Sequence, residues 1–291
     1  MSETIGVIGL GVMGSAMAAN LLSAGNKVSG YDIDHDQESA AAGIGVTIHS
    51  SVGDLADNCD QLILSLPSVS SLKEVSDEIA GHAHAGLLCL ETGTLPLEAK
   101  RSARDVLAEA GVELLDTPLS GTGLQAADGT LVVFASGNEE GCERARPVFE
   151  AIGRSTHYLG EFGNGSVMKY IANLLVAVHN LATAEAHVLG MAAGMDPALV
   201  QKVMEDGVGS SKIFEIRGPM MVSDDYPAAA RLDIIFKDGR LIKEFAVASG
   251  AKTPLLDAAL PVYAASSEAG LGDLDAAALC RYLERQSGVT R

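Results

Sequence analysis

The stretch TIGVIGLGVMGSAMAANLLSAG, residues 4–25, decides the fold of this chain. Its first third is an apolar run that predicts a strand, and its last two thirds predict a helix. Between the two, Gly9, Gly11 and Gly14 have the spacing G-x-G-x-x-G. In this context the first glycine makes a tight turn, the second lets the backbone approach a diphosphate, and the third lets the helix pack close to the strand.

The glycine loop predicts a dinucleotide site, because the free N–H groups and the dipole at a helix N-terminus favour a diphosphate. A glycine-rich turn that binds no ligand is the alternative at this point. We assign cofactor binding to all six residues of the loop, Gly9, Leu10, Gly11, Val12, Met13 and Gly14.

Asp32 is expected to select the cofactor. It ends the predicted strand 27–32 and follows Gly9 by 23 residues, counted from position 9 to position 32. A carboxylate about 20 residues beyond the glycine loop binds the ribose 2′-OH and repels a 2′-phosphate. The next charged residues, Asp34 and Asp36, are also acidic. The pattern favours NAD over NADP, with an ordinary turn aspartate as the alternative.

The first half of the chain alternates short apolar runs with helical stretches, which predicts a doubly wound parallel sheet of the Rossmann type. One intervening helix is predicted at 95–111 and another at 139–152. The predicted strands are 4–10, 27–32, 60–66, 86–92, 111–118, 130–137 and 155–160.

Strand patterns end after Gly165, and the second half predicts an all-α domain. A long helix is expected from Ser166 to Ala193, which would join the two domains. We place the boundary between a dinucleotide-binding domain, residues 1–162, and a helical substrate and dimerisation domain, residues 163–291. The later helices are predicted at 196–207, 231–249, 254–269 and 275–286.

Composition excludes several classes of protein. The formal net charge of −18 argues against a nucleic-acid surface, which needs clustered Lys and Arg. No uninterrupted apolar run reaches the roughly 18 residues of a membrane span, and the first residues predict a strand rather than a signal peptide. The four cysteines form no CxxC pair, so we expect reduced thiols in a cytoplasmic protein. The pair His82 and His84 has no partner at metal spacing and is assigned to a loop, so no metal is predicted.

The segment DTPLSGTGLQAADGTLVVFASG, residues 116–137, begins where a predicted strand ends. Ligands of open α/β sheets collect outside the carboxyl ends of the strands. Ser120 and Gly121 offer a hydroxyl and a slim backbone donor there, and such donors can hold a carboxylate without a positive charge. A Gly/Ser loop with no role is the alternative.

The segment GNGSVMKYIANLL, residues 163–175, starts the long helix with two polar residues in an apolar run. Lys169 and Asn173 are four residues apart and therefore share one helix face. A lysine with its ordinary pKa near 10.4 is a poor proton acceptor at neutral pH, but burial between domains would lower that value. The alternatives are an acid/base lysine and a lysine that extends its amine to solvent at a helix start.

Four motifs together resemble the β-hydroxyacid dehydrogenases, the family of 3-hydroxyisobutyrate dehydrogenase and tartronate semialdehyde reductase. The resemblance covers essentially the whole chain. The motifs are GLGVMG at 9–14, DTPLSGTGLQAADGTL at 116–131, GNGSVMKYIAN at 163–173 and KDGRL at 237–241.

The resemblance implies roles for individual residues. Lys169 would be the catalytic acid/base, and Asn173 would help to place the substrate. Ser120, Gly121 and Thr122 would form the substrate carboxylate site. The remaining residues assigned to the cofactor site, besides the glycine loop and Asp32, are Leu66, Pro67, Thr94 and Lys237.

Three positions depart from the family pattern and affect the expected substrate more than the expected reaction. Thr122 replaces a glycine and adds bulk near the carboxylate site. Gly239 replaces leucine inside a predicted helix, at a cost of about 1 kcal/mol relative to Ala. Ala230 stands where the family often has an aromatic residue, and Tyr226 could compensate from the preceding turn.

The main hypothesis is therefore an NAD-dependent oxidoreductase that transfers hydride reversibly between a small 3-hydroxy acid and its semialdehyde or keto acid. An imine reductase of the same fold is an alternative, although Lys169 and Asp32 oppose it. A non-catalytic dinucleotide-binding scaffold is another. The long helix is apolar on most faces, which predicts that a second subunit covers it in a homodimer or homotetramer.

Overall fold

A six-stranded parallel sheet organises the first part of the chain. The computed structural model describes residues 3–290, and the chain divides between Lys169 and Tyr170 into two compact units. The spatial order of the strands is β3-β2-β1-β4-β5-β6, the doubly wound order with its switch point between β1 and β4. The strands are β1 (Thr4–Ile8), β2 (Lys27–Tyr31), β3 (Thr47–Ile48), β4 (Gln61–Leu64), β5 (Leu88–Glu91) and β6 (Glu113–Asp116).

Helices cover both faces of this sheet, so its strands are apolar on both sides. Successive residues of β1 enter opposite cores: Val7 belongs to the buried cluster that contains Met17 and Phe149, and Ile8 belongs to the cluster that contains Leu55. The helices are α1 (Val12–Ser23), α2 (His35–Gly43), α3 (Val52–Asp57), α4 (Val69–Gly81), α5 (Leu97–Glu109), α6 (Gly123–Ala127), α7 (Glu139–Ile152) and the start of α8 (Asn164–Ala192).

A second, three-stranded sheet follows β6. It contains β7 (Leu119–Ser120), β8 (Leu131–Ala135) and β9 (Gly153–Tyr158), with β7 antiparallel and β9 parallel to β8. The predicted strands are confirmed, and no predicted end differs from the observed one by more than two residues. The exceptions are β3 and β7, which sequence periodicity could not reveal because each has only two residues.

Helices alone build the second unit within the described residues 170–290. The α-helices are the remainder of α8, α9 (Pro197–Glu205), α10 (Lys212–Ser223), α11 (Leu232–Ala248), α12 (Pro254–Ser266) and α13 (Leu279–Ser287), and two short helical segments, Ser267–Leu271 and Ala276–Ala278, lie between the last two. The sequence did not predict α10, since Gly218 and Pro219 inside it are typical of a turn. Gly239 in α11 has a packing reason: a Cβ there would lie 2.8 Å from Leu260 Cδ2 on α12.

The helix α8 spans the division between the units. Its 29 residues are long and apolar enough, by length and composition, to cross a membrane, a test that the core helix of a soluble protein also passes. Its buried Asn180 donates hydrogen bonds to Tyr263 and to the Ala276 carbonyl, as expected of a helix packed in a protein core. The predicted domain boundary between residues 162 and 163, just before α8, stays a prediction.

All four cysteines, Cys59, Cys89, Cys142 and Cys280, are buried as free thiols. Burial raises the pKa of Cys142 to about 11 and that of Cys59 to about 12, which disfavours the reactive thiolates. Among residues 3–290 no group of three His, Cys, Asp or Glu side chains could hold a metal ion. His84 Nε2 instead lies 3.0 Å from the Cys59 carbonyl. The predicted cytoplasmic location stays a prediction.

Candidate active site

The glycine loop joins β1 to α1, and two of its glycines are required by the protein itself. Gly9 has a φ of +90°, and a Cβ on it would overlap the Ser65 carbonyl oxygen after β4. A Cβ on Gly14 would overlap the Gly9 carbonyl oxygen, so α1 could not approach β1 as closely. Both contacts match the predicted roles of a tight turn and close helix packing.

Gly11 differs, because no protein atom lies within 4 Å of where its Cβ would be. It is exposed, and it is the N-cap residue of α1, where residues 3–290 supply no side-chain cap hydrogen bond. An open backbone next to free helix N–H groups fits a diphosphate. Val12 beside it is exposed and Met13 is half-buried, whereas Leu10 is fully buried in the core.

Asp32 directly follows β2 and is bonded to the glycine loop. Its Oδ2 accepts the Leu10 N–H at 2.5 Å, and its Oδ1 accepts the Asp34 N–H at 2.9 Å. The carboxylate is half-buried and retains acceptor capacity, since each of its oxygens has two lone pairs. Asp32 therefore lies beside the loop, where the predicted contact with a ribose requires it.

We expect Asp32 to make the efficiency (kcat/KM) with NAD at least about tenfold higher than with NADP, since one unfavourable charge contact of about 1.4 kcal/mol suffices. Asp32→Asn keeps a hydrogen-bond acceptor for the Leu10 N–H but removes the negative charge. It should therefore reduce the ratio of kcat/KM with NAD to kcat/KM with NADP. Asp36→Asn, an exposed neighbour in α2, is the matched control and should leave the preference unchanged. Steady-state rates with both cofactors test this, and equal use of both by the unaltered protein would contradict it.

The other residues assigned to the cofactor follow the carboxyl ends of neighbouring strands. Leu66 and Pro67 follow β4, whose next residue, Ser65, donates its N–H to the Ile8 carbonyl of β1. Thr94 follows β5 and is half-buried, in a turn fixed by the hydrogen bond from Thr92 Oγ1 to the Leu64 carbonyl at 2.8 Å. All three lie at the edge of the sheet where the glycine loop lies, the edge that binds ligands in open α/β folds.

The predicted substrate loop is bonded to the C-terminal half of α1. Asn20 Nδ2 donates to the Ala126 carbonyl of α6 at 2.6 Å. Gly121 has a φ of +150°, and a Cβ on it would lie 2.6 Å from Leu131 Cδ2, so only glycine suits the position. Ser120 is half-buried, and its hydroxyl makes no hydrogen bond to any part of the chain that the structure describes.

Thr122 is the N-cap residue of α6. Its backbone N–H donates to Gln125 Oε1 at 2.9 Å, so this N–H is not open to a substrate carboxylate. A carboxylate at this loop would depend on Ser120 and Gly121, with Thr122 contributing through its half-buried hydroxyl. The three assignments to substrate binding stay predictions.

The first turn of α8 is bonded to the end of β6. Asp116 Oδ2 accepts the Ser166 N–H at 2.7 Å, and Asp116 Oδ1 accepts the Ser166 hydroxyl at 2.8 Å. Gly165 donates its N–H to Ser136 Oγ at 2.9 Å, and a Cβ on Gly165 would lie 2.8 Å from the Asp116 carbonyl oxygen. Lys169, half-buried, follows Ser166 by about one turn. The first turn of α8, which precedes Lys169, therefore lies at the carboxyl edge of the sheet.

In the helical unit, the structure brings Asn173 and Lys237 together through Asp238. Asn173 Nδ2 donates to Asp238 Oδ2 at 2.8 Å, and Lys237 Nζ lies 3.1 Å from Asp238 Oδ1. Asn173 and Asp238 are buried, whereas Lys237 is half exposed. Asp238 orients the Asn173 amide, a role that the sequence did not assign although KDGRL contains the residue.

The model of the NAD-binding domain of 6-phosphogluconate dehydrogenase matches residues 4–160. The model described as the NAD-binding domain of NADP-dependent 3-hydroxyisobutyrate dehydrogenase matches residues 163–283. The chain belongs to the β-hydroxyacid dehydrogenase family. This confirms the resemblance that the four motifs indicated.

Individual members of the β-hydroxyacid dehydrogenase family are similar over nearly their full length. The NAD-dependent L-serine dehydrogenase of Pseudomonas aeruginosa is 33% identical, over 94% of this chain and 95% of its own. The L-threonate dehydrogenase of Cupriavidus necator is 34% identical, over 97% of this chain and 96% of its own. The structure of Mycobacterium tuberculosis 3-hydroxyisobutyrate dehydrogenase with L-serine superposes with a TM-score of 0.90 at 29% identity, covering 97% of this chain and 99% of its own.

This β-hydroxyacid dehydrogenase is thus an oxidoreductase that uses NAD, as the sequence predicted. The comparisons support the dehydrogenase hypothesis over the imine reductase and scaffold alternatives, because the cited relatives with 33% and 34% sequence identity are dehydrogenases that act on hydroxyl groups. The fold prediction is likewise confirmed, with a parallel Rossmann sheet followed by a helical region.

Proposed function

We propose that the protein oxidises a small 3-hydroxy carboxylate reversibly to the corresponding semialdehyde or keto acid, with Lys169 as the acid/base. The observation that carries this proposal is the anchoring of the first turn of α8 on Asp116. The start of the helix that bears Lys169 is thereby bonded to the carboxyl end of β6, at the sheet edge where the glycine loop and Thr94 lie, and Ser120 follows Asp116 by four residues. This oxidation needs a proton acceptor, a loop that binds the dinucleotide and a hydrogen-bond donor for the substrate carboxylate.

The substrate class is inferred from the site and the relatives. L-serine, L-threonate and 3-hydroxyisobutyrate, the compounds in the relatives' names, are all small carboxylates with a hydroxyl on C3. In this chain Ser120 supplies a hydroxyl with no protein partner among the described residues, which suits a substrate carboxylate. Small hydroxy acids are therefore the substrates to test first.

The chain's own residues bind and orient the reactants. Gly11 and the N–H groups at the start of α1 would hold the diphosphate, and Asp32 would hold the adenosine ribose. When bound, NAD supplies the acceptor for the hydride that leaves the carbinol carbon. Lys169 would take the hydroxyl proton during oxidation, and Asn173, one turn further along α8, would hold the hydroxyl oxygen in place.

Formation of NADH, followed by absorbance, tests the proposal with a panel of L-serine, D-serine, 3-hydroxyisobutyrate, L-threonate, 3-hydroxypropionate and glycerate. Turnover of at least one 3-hydroxy acid, and none of a 3-amino acid of matched size, is the expected result. Failure of every hydroxy acid and, in the reverse direction, of every matching semialdehyde would overturn the proposal.

The methyl ester of any substrate found should react about 10- to 100-fold less efficiently than the free acid. Esterification removes the charge that Ser120 and Gly121 are proposed to bind, and losing a charge-assisted hydrogen bond costs about 1.5–3 kcal/mol. Comparison of kcat/KM for acid and ester measures this. In Ser120→Ala the difference between acid and ester should shrink, and an ester that reacts as fast as the acid would show that the loop has another role.

We also propose that the protein is a homodimer or a homotetramer in which a second copy covers α8. One face of α8 is apolar and open to solvent: Ile171 is 52% exposed, Leu175 is 47% exposed and Leu189 is 72% exposed. Several exposed large apolar side chains on one helix are typical of a subunit interface.

Sedimentation velocity should therefore give at least twice the 30.0 kDa mass of one chain. Leu189→Glu should shift the protein toward monomer, because it would bury a charge at the contact. Val247→Glu, at an equally open apolar position on α11, is the matched control and should leave the mass unchanged. A monomeric unaltered protein at micromolar concentration would contradict the proposal.

A further inference from the structure

A buried lysine that the mechanism does not use lies behind the site. Lys100 of α5 is completely inaccessible, and its Nζ lies 2.5 Å from Glu91 Oε2 and 2.9 Å from Asp116 Oδ1. A third contact, to the Gly93 carbonyl, measures 2.7 Å. Glu91 and Asp116 are equally buried and end the adjacent strands β5 and β6. The buried ammonium thus makes hydrogen bonds to Asp116 and to the Gly93 carbonyl and an ion pair with Glu91.

Both carboxylates have a second set of contacts that lead to the proposed site. Glu91 Oε1 accepts the Gly93 N–H at 2.9 Å and so fixes the turn that precedes Thr94. Asp116 accepts the N–H and the hydroxyl of Ser166 in the first turn of α8. Lys100 therefore connects two segments. One is the turn before Thr94, a residue assigned to the cofactor site, and the other is the first turn of α8, which precedes Lys169.

The same contacts restrain the approach of α8 to the sheet. Ser136 Oγ donates to Asp116 and accepts from the Gly165 N–H, so two N–H groups of the helix start are held from β6 and from the end of β8. Because the network is buried, each lost hydrogen bond would leave a buried polar group unpaired, which is unfavourable. The network therefore favours a single position of the helix start. A side chain one turn along a helix moves with that first turn.

We infer that Lys100, together with Glu91 and Asp116, is a positioning device that sets the placement of Lys169 for proton transfer. Lys100 does not touch the reactants; it acts through Asp116 and Ser166. The inference rests on the proposed function of Lys169, and it gives Asp116, the first residue of the motif at 116–131, a role in holding the start of α8 in addition to starting the substrate loop.

Two variants interrupt this chain of contacts at different points. Ser166→Ala removes the hydroxyl bond to Asp116 and keeps the cation, whereas Lys100→Met removes the cation and keeps the hydroxyl. We expect each to lower kcat by about tenfold or more, because small misplacements of reacting groups are costly, while in Ser166→Ala the Kd for NAD stays within about twofold. The pH dependence of kcat should shift in both variants, which a purely structural contact would not cause.

Ser76→Ala is the matched control for Ser166→Ala. Ser76 is equally buried, on α4, and its hydroxyl has no hydrogen-bond partner among residues 3–290. It should keep the kcat and the pH profile of the unaltered protein. If Lys100→Met does not fold, Ser166→Ala decides the question alone. A Ser166→Ala enzyme with the unaltered kcat and pH profile would overturn the inference.

Hydrogen exchange of the backbone amides separates this inference from the proposed function, since it requires no turnover. In Ser166→Ala the amides of residues 165–169 should exchange at least about tenfold faster than in the unaltered protein, and in Ser76→Ala they should not. Absence of activity on any hydroxy acid, with this exchange pattern present, would reject the proposed function and keep the positioning role. Unchanged exchange in Ser166→Ala would reject the positioning role whatever the activity.

Discussion

Replacing Lys169 by alanine should lower kcat by a factor of about 10² to 10⁴, the range that a positioned acid/base contributes. The loss should appear in kcat more than in KM, because the proton moves in the transition state and not in substrate binding. The Kd for NAD, measured by fluorescence titration, should change little, since Gly11 and Asp32 are unaltered. Single-turnover rates with the best substrate of the panel measure the effect where chemistry limits the rate.

Three further variants define the role of Lys169. Lys169→Arg should not restore activity, because a guanidinium stays protonated and cannot accept a proton. Asn173→Ala should be milder, since its amide places the substrate and is itself held by Asp238. Lys73→Ala, an exposed lysine of α4 paired with Asp77, is the control and should leave kcat unchanged. A Lys169→Ala enzyme that keeps more than about half its turnover would exclude the acid/base role.

The parts of this molecule that follow from local sequence were predictable. The glycine loop combines an apolar run, three spaced glycines and a helix start within residues 4–25, and each part interacts with its sequence neighbours. The contact of Gly14 with the Gly9 carbonyl bears this out, whereas the contact of Gly9 with Ser65 after β4 joins residues 56 positions apart. The strands and the helix at 139–152 were predictable for the same reason.

The network around Lys100 was not predicted, because it joins residues that are far apart in the sequence. Asp116 bonds Ser166 across 50 positions, and no periodicity reports such a contact. One local signal was present: Lys100 falls in the apolar stripe of α5 with Leu97, Ala103 and Leu107, all buried. A charged residue in the buried stripe of a helix indicates a buried partner of opposite charge.

Asp238 was missed for a different reason. The motif KDGRL contains Asp238, but the resemblance implies a role only for its lysine. The structure shows that Asp238 is the buried residue of the pair and that it contacts Asn173 across 65 positions. Burial of a carboxylate is unfavourable unless it is paired, so a buried aspartate next to an exposed lysine marks a specific contact.

Replacing Lys100 by methionine should lower the free energy of unfolding by about 3–5 kcal/mol at neutral pH, the cost of removing one partner of a buried ion pair. Methionine fills a similar volume, so the loss measures charge more than packing. Two carboxylates, Glu91 and Asp116, would then share a fully buried site without a cation. Lys73→Met removes an exposed lysine instead and should leave stability close to that of the unaltered protein. Urea unfolding measures each variant.

A double variant tests whether the lost stability comes from the uncompensated charge. Glu91→Gln in the Lys100→Met background removes one of the two buried carboxylates, so it should recover part of the loss. The same Glu91→Gln change in the unaltered protein should destabilise, because Lys100 then loses a partner at 2.5 Å. Such opposite effects give a coupling energy between the two positions, and purely additive effects would contradict the ionic account.

The pH dependence gives a further, independent test of the same prediction. Burial raises the pKa of Glu91 above its ordinary value of 4.5, and the Lys100 ammonium is the main influence that lowers it again. Without that ammonium the folded-state pKa rises further, so between about pH 4.5 and the new value the folded state binds more protons than the unfolded state. Stability must then fall as the pH rises through this interval. The free energy of unfolding that Lys100→Met loses relative to the unaltered protein should accordingly be smaller at about pH 5 than at about pH 8. A loss that stays constant over that range would show that lost packing, not lost charge, is responsible.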